Sequence, residues 1–318
     1  RTPLYWFAFH IGDGKMLCCD RNLSWREPVP WDCNCFLNMT TSLCNSNPIP
    51  PFRYAFSGKG DFPSAVLLGS DGIDDSWGNM TNLQNFYSQT LSVFNALGEV
   101  KTVEELEKNL PVLSERGSRD DMSVAGVIDL DDIKDGVEIY MMQRKLRALN
   151  SEKNAQEAEL SQLETKKVQA ESDIKTLSAA IRTIENENES WFQRILADKS
   201  QREANVEQKK NDLKLCEQSA AQYNHQYDEK YSTYQTWIAT ATKVRNTLLN
   251  DIEKLKTKND SKMQEEIENW KLMKASFEQK YQQAADAEIQ ARSSYMEACN
   301  DEALQALENL DKQSNEPE

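Results

Sequence analysis

Val66-Leu67-Leu68-Gly69-Ser70-Asp71-Gly72-Ile73-Asp74-Asp75 decides the reading of this chain. It does so together with a second stretch, Gly117-Ser118-Arg119-Asp120-Asp121-Met122-Ser123-Val124-Ala125-Gly126-Val127-Ile128. In the first, an apolar run ends abruptly in Asp-Gly; in the second, an acidic turn opens directly into an apolar run. Apolar runs bounded by turn residues read as strands, so Asp71 falls at the C-terminal end of one strand and Asp120 just ahead of another. In adjacent antiparallel strands those two ends coincide. Two hard oxygen ligands would then converge, the donor type that Mg²⁺ or Mn²⁺ takes. Asp-Gly is also a common turn dipeptide, so either stretch alone says little. The pair says more.

The segments Ser70–Asp75 and Gly117–Val124 resemble the two C-terminal motifs of the metal-dependent protein serine/threonine phosphatases of type 2C. A third stretch, Trp6-Phe7-Ala8-Phe9-His10-Ile11-Gly12-Asp13-Gly14-Lys15-Met16-Leu17-Cys18-Cys19, resembles that family's β-hairpin with a Gly-Asp-Ser-Arg turn. The three occur in the family's order, and the resemblance spans about residues 5–130. It implies an α+β fold, a partial β-sandwich with flanking helices, followed here by an all-α coiled-coil region. It also implies hydrolysis of phosphoserine or phosphothreonine in phosphoprotein substrates, by water activated between two Mn²⁺ or Mg²⁺ ions and without a phosphoenzyme. By motif position, Asp71 and Asp120 would be ligands of the binuclear centre. Asp13 and Asp75 match acidic positions that can hold a further, weaker metal. The sequence departs from the family pattern at Gly14 and Lys15, where Ser-Arg is usual, and at Asp121, where Asn is usual.

The family's first half supplies an Asp-Gly-His segment, whose aspartate bridges the two metals, and a phosphate-binding arginine. No Asp-Gly-His occurs in this chain, which also opens at Arg1 within what reads as a strand. The resemblance therefore implies only the C-terminal half of the domain, in a chain inactive by itself. A smaller, self-sufficient domain would leave one sheet of the sandwich uncovered. A rival from another class is a non-catalytic, structural coiled-coil protein carrying a degenerate phosphatase-like module.

Composition divides the 318 residues near residue 136: all 11 glycines lie at or before Gly136, and eight of nine prolines at or before Pro111. We therefore expect a phosphatase-like part over 1–136 and a helical part over 137–318. Both parts are acidic, within a net charge of −15, and neither carries the basic footprint that nucleic acid or anionic lipid needs. No apolar run approaches the ~20 residues of a membrane span. A cytoplasmic protein without nucleic-acid or membrane partners is expected.

In the first part, Leu4–Ile11 and Lys15–Cys19 alternate around Gly12-Asp13-Gly14 and read as a hairpin. Residues 20–51 read as irregular, with a short helix near Met39–Leu43. Phe52–Ser57, Ala65–Ser70 and Ser123–Ile128 read as strands. Thr81–Leu97 has helical apolar spacing, and Thr102-Val103-Glu104-Glu105 reads as a capping box opening a second helix to Glu115.

The second part carries a 3-4 apolar repeat at Ile139, Met142, Leu146, Leu149, Lys153, Gln156, Leu160, Leu163, Lys167, Ala170, Ile174, Leu177, Ile181, Ile184, Asn188, Trp191 and Ile195, the seam of a coiled coil. A second seam runs from Leu213 to Leu255 and a third through Ile267, Trp270, Phe277, Tyr281 and Ala284. Turns are expected at Asp198–Arg202 and Lys256–Ser261, giving an antiparallel hairpin or three-helix coil with a coiled-coil partner or self-association. Tyr223, Tyr227, Tyr231, Tyr234 and Trp237 recur at 3–4 spacing and read as packing aromatics rather than a stacking surface. His225 reads as solvated, and His10 as a core or edge histidine.

Five of the seven cysteines, Cys18, Cys19, Cys33, Cys35 and Cys44, lack zinc-site spacing and read as reduced thiols acting as small hydrophobes. The sequons at Asn38 and Asn79 read as chance.

Overall fold

The computed structural model describes residues 2, 4–35, 39–47, 52–189 and 199–314. The order is β1 (Trp6–His10), β2 (Lys15–Cys19), β3 (Trp25–Arg26), β4 (Arg53–Ser57), β5 (Ala65–Gly69), α1 (Asp71–Trp77), α2 (Met80–Leu97), α3 (Glu99–Arg116), β6 (Val124–Ile128), α4 (Leu130–Glu189) and α5 (Lys199–Ser314). The fold is α+β at the N-terminus and helical thereafter. No helix among the described residues is long and apolar enough to cross a membrane.

Two antiparallel sheets form, β3-β2-β5-β6 and β1-β4. The expected hairpin of Leu4–Ile11 with Lys15–Cys19 is therefore not made: β1 and β2 belong to different sheets. The cause lies at the turn between them. Arg53 donates through Nη2 to Gly12 O at 2.8 Å and contacts His10 Nδ1 at 2.7 Å, so β4 captures β1. Gly12 takes φ +100, a left-handed conformation that glycine allows, and the chain swings into the other sheet.

Alternation gives the four-stranded sheet two unlike faces. Leu17, Cys19, Ala65 and Leu67 share one face and are buried, as are Ile73 of α1 and Leu83, Tyr87 and Leu91 of α2. Trp25 joins them, its ring 5.8 Å from that of Tyr87 and its Nε1 donating to Ser88 Oγ at 2.7 Å. The opposite face, with Met16, Cys18, Val66 and Val127, borders a cleft of about 1000 Å³ that Trp6, Phe7 and Phe9 of β1 also line. Val127 is 76 % exposed there, and Phe7, Phe9, Tyr54 and Phe56 are exposed too. The sandwich is thus covered on one side of its sheet and open on the other.

Two local expectations change. Met39 makes only an isolated bridge and residues 43–44 a turn, so no helix forms at Met39–Leu43; the sequon's Asn38 lies outside the described residues. The capping box is absent. Gly98, at φ 78, separates α2 from α3, and the helix starts at Glu99. Thr102 is then an interior residue, 1 % exposed, donating from Oγ1 to Gly98 O at 2.7 Å. Asn79 caps α2 by accepting from Asn82 N at 2.9 Å. Of the cysteines, all free, Cys18, Cys19 and Cys35 are buried whereas Cys33 and Cys44 are exposed.

Contacts group the chain into two compact units, Arg1–Glu138 with Leu255–Glu318, and Ile139–Lys254. In the first, part of α5 packs on the N-terminal residues. Asn259, 1 % exposed, donates to Asn22 Oδ1 at 2.8 Å and Arg21 O at 3.3 Å. Arg21 pairs with Asp132 and, at 2.6 Å, with Glu266. Lys258 reaches Asp135 at 2.6 Å. Trp270 donates to Leu4 O at 2.9 Å and lies against Gly60, where a Cβ would come within 3.0 Å of its ring. Gly136 admits the same approach, since a Cβ there would lie 2.3 Å from Arg21 O. The turn expected at Lys256–Ser261 is consequently absent, α5 being continuous from Lys199 to Ser314. Apolar residues thin out there because the helix exchanges an apolar neighbour for a polar docking surface, and no Gly or Pro interrupts it.

In the second unit α4 and α5 run antiparallel. Tyr234 donates to Glu157 at 2.7 Å, Lys230 pairs with Glu159, and Lys210 pairs with Glu185 at 3.0 Å. Every repeat position from Ile139 to Ile184 is withdrawn from solvent, Leu160, Ala170 and Ile181 most fully. Lys167 lies over the Tyr227 ring at 5.4 Å, and Tyr223, Tyr227, Tyr234 and Trp237 are half-buried as packing residues, whereas Tyr231, stacked on Tyr227 at 5.8 Å, is exposed. His225 is exposed. Trp191, Ile195 and Asp198 fall outside the described residues.

Candidate carboxylate site

The strand registers bring three motifs to one end of the four-stranded sheet. Lys15 pairs with Gly69 and Gly69 with Val124, so the start of β2, the end of β5 and the start of β6 form a single rung. Beyond that rung the polypeptides of the two acidic motifs are laced by hydroxyls. Ser70 N donates to Ser123 O at 3.1 Å, Ser123 N to Ser70 Oγ at 3.1 Å, and Ser70 Oγ to Asp121 O at 3.0 Å. One turn on, Ser76 Oγ accepts from Ser118 N at 2.9 Å, and both hydroxyls donate to Gly72 O. The approach is so close that a Cβ on Gly72 would lie 2.5 Å from Asp121 O. Gly14 is fixed similarly: a Cβ there would lie 2.7 Å from Gly69 O, which leaves no room for the family's serine.

Asp71 opens α1, and Asp120 lies in the bend ahead of β6. Asp71 Oδ1 accepts from Gly72 N and Asp120 Oδ1 from Asp121 N, each at 2.8 Å, leaving the second oxygen of each carboxylate uncommitted to these turns. Asp71 and Asp74 stand in the first turn of α1, the end where negative charge is favoured. Asp75 is held above the usual carboxylate range, first by partial burial and then by the charges of Asp74, Asp71 and Asp120, with Lys15 opposing. These four carboxylates therefore share one field of surplus negative charge.

Lys15 enters that field. Its side chain shares the sheet face of Leu17 and Cys19, toward α1, and forms an ion pair with Asp74. Its ammonium also lies 5.0 Å from the centre of the Trp31 ring. Glu27 is close enough to feel both Lys15 and Asp74, and burial pushes its carboxyl up.

Asp13 belongs to a neighbouring network. Its charge acts on His10, which is held below its ordinary pKa by burial first and then by Arg53. Asp32, 3 % exposed, accepts from Asn34 N at 2.9 Å and Thr41 Oγ1 at 2.8 Å; against the cost of burial these bonds and Arg53 hold it low. Thr41 Oγ1 in turn accepts from Gly12 N at 3.1 Å. The network fixes the Gly12-Asp13-Gly14 turn beside the rung.

Among the described residues no group of three or more His, Cys, Asp or Glu side chains is placed to hold a metal ion. The edge has the right donor type and charge for Mg²⁺ or Mn²⁺ but not a full ligand set, so these residues alone do not fit the family's metal pair. Lys15, Glu27, Asp74 and Trp31 went unassigned in the sequence. Only Lys15 carried a signal there, as a departure from the family's pattern.

The strand registers thus bring the segments that carry the type 2C resemblance to one edge of the sheet. Residues 1–111, about a third of the chain, match the family model described as Protein phosphatase 2C, so this N-terminal portion is similar to that family. The match stops short of Asp120, whose segment leads into β6 beside the end of β5 that precedes Asp71. No curated protein matches the chain. No solved structure matches it.

Proposed function

We propose that the N-terminal portion is the back half of a metal-dependent protein serine/threonine phosphatase domain. In this reading Asp71 and Asp120 are its contribution to an Mn²⁺ or Mg²⁺ centre, and Asp13 and Asp75 lie at a weaker, outlying position. The carrying observation is the rung Lys15–Gly69–Val124 with its serine lacing, which gives two distant acidic motifs one location. The remaining ligands have to come from outside this edge, so the 318-residue chain by itself does not turn over substrate. The helical region serves as an interaction or self-association element in a cytoplasmic protein. Supporting that role, Phe277, Tyr281, Ile289 and Tyr295 of α5 are exposed along a helix that needs apolar cover.

Hydrolysis of p-nitrophenyl phosphate in Mn²⁺ tests the reading. The expected outcome is no turnover above an Asp71→Ala control for this chain. In a protein containing a complete ligand set, Asp71→Ala or Asp120→Ala should remove nearly all activity, and Asp13→Ala or Asp75→Ala should chiefly raise the metal concentration required. Metal-dependent turnover by the 318 residues alone would overturn the incomplete site. A second reading, a non-catalytic coiled-coil protein with a degenerate module, is favoured by one observation, the Gly14 position, where a Cβ would lie 2.7 Å from Gly69 O and the family's serine has no room.

A further inference from the structure

Past its docking on the N-terminal residues, α5 continues with nothing over it. From Lys274 to Ala306 every residue is exposed apart from the half-buried Ala285. Phe277, Tyr281 and Tyr295 are among them, Tyr281 at 77 %. These aromatics carry on the 3-4 repeat that Ile267 and Trp270 begin. At 3.6 residues per turn they share one side of the helix with Ala284 and Ala291, so large and small residues alternate along the stripe. One flank of the stripe bears two opposite charges, Glu278 and Arg292. Among the described residues each is paired only within α5, Glu278 with Lys274 at 3.9 Å and Arg292 with Glu288 at 2.9 Å. Such water-exposed i,i+4 pairs contribute little, which leaves both charges free to meet a partner.

We propose that this stripe pairs with the same stripe of a second copy of the chain, the two α5 helices lying antiparallel about Asp286. The inference rests on reading the helical region as an interaction element, and it names the partner, the orientation and the register. Turned end for end about Asp286, Phe277 faces Tyr295 of the partner subunit and Tyr281 faces Ala291 of the partner subunit, so each large residue meets a complementary one. In an antiparallel pair the flanking positions on one side meet their own kind. That sets Glu278 of each chain against Arg292 of the other, twice by symmetry. A parallel pair sets those charges against Met273 and Ala287 instead. Sliding the antiparallel pair by one heptad sets Arg292 against Lys271 or Ala285. Only the arrangement about Asp286 satisfies both charges, and it pairs about 37 Å of helix between Lys274 and Ala298 at ~1.5 Å per residue.

Sedimentation equilibrium of the full 318-residue chain tests this. The unaltered chain is expected to be a dimer. Glu278→Arg and Arg292→Glu should each weaken the dimer by about tenfold or more, because both cross-chain pairs become repulsive. Both positions are exposed and both replacements are good helix formers, so folding is not at stake. Mixing the two variants in equal amounts should restore the dimer, since one chain then offers Arg and the other Glu at both contacts. A dimer indifferent to either substitution, or two variants that do not associate when mixed, would overturn the antiparallel pairing. A monomeric unaltered chain would overturn it as well, and hydrogen exchange then separates the two levels. If residues 274–306 exchange as a helix, only the self-pairing fails. If they exchange as an unstructured chain, the interaction element fails with it.

Discussion

The carboxylate edge and the paired helices are held together by opposite means. At the edge nothing is periodic: Ser70 Oγ donates to Asp121 O and accepts from Ser123 N, Ser76 and Ser118 converge on Gly72 O, and Gly14, Gly72 and Gly117 each admit one particular close approach. In the helices one rule repeats, with every repeat position from Ile139 to Ile184 withdrawn from solvent. A periodic interface spreads its stability over many small, interchangeable contributions, whereas a unique one concentrates it. Substitutions should therefore cost more beside the edge than along the seam.

The largest effect is expected in the layer under the edge. Leu67 is 2 % exposed and faces α2, so Leu67→Ala should destabilise the N-terminal unit by about 3 kcal/mol. Leu160 is the most buried leucine of the seam at 8 % exposed, yet it packs in a two-helix layer that can close around a gap. Leu160→Ala should cost about 2 kcal/mol or less. Chemical denaturation of both variants, followed by near-ultraviolet and far-ultraviolet circular dichroism, measures the difference. Equal losses would break the comparison.

Next come the residues where α5 leaves the repeat. Asn259 and Trp270 are unique contacts on a periodic helix, and they test whether uniqueness or periodicity governs that stretch. Asn259→Leu removes hydrogen bonds to Arg21 O and Asn22 and places an apolar side chain against polar groups, for about 2 kcal/mol. Trp270→Ala exposes Gly60 and frees Leu4 O at a similar cost. Both losses should appear in hydrogen exchange of residues 4–26, while residues 139–254 keep their protection. Loss of protection in both units would show that the helices and the sheet module are a single cooperative structure.

The same contrast explains what the sequence disclosed. The seam was legible because each apolar residue repeats its neighbour's message, and the strands because alternation is local. The adjacency of the segments that carry Asp71 and Asp120 was legible too, since it follows from strand ends alone. The pairing of β1 was not, because the Arg53 contact with His10 spans 43 positions and leaves no periodic trace. The continuity of α5 through Lys256–Ser261 was hidden for a related reason: apolar residues thin out there, and the polar Lys258 and Asn259 have their partners far away in sequence, at Asp135 and Asn22. Lys15 and Asp74 are ordinary charges in sequence, and only the pairing of Lys15 with Gly69 makes them neighbours.

A smaller change sharpens the periodic side. Lys167 occupies a repeat position and satisfies its stem and charge against Tyr227. Lys167→Leu should stabilise the paired helices by about 1 kcal/mol, since an apolar side chain fills the seam without a charge to desolvate. A rise in the thermal midpoint of the helical signal is the expected result. A fall would mean that the Lys167–Tyr227 contact is worth more than the apolar burial it replaces.

The smallest expected effect is a pH dependence near the edge, from His10. Burial and then Arg53 hold its folded pKa below the ordinary 6.5, with Asp13 and Asp32 acting in the other direction. Between 6.5 and the lower folded value the unfolded chain binds more protons than the folded one. This contribution to stability is complete above that ordinary value and declines as the pH falls through the window. Glu27 and Asp75, both raised, act with the opposite sign as they gain protons in more acidic solution. His10→Gln keeps an acceptor for Arg53 but cannot titrate, so the difference between the two chains isolates the histidine. The unaltered chain should lose less than about 1 kcal/mol more than His10→Gln between roughly pH 7 and pH 5. Parallel pH profiles would show that burial and the Arg53 charge do not hold the folded His10 below its ordinary pKa.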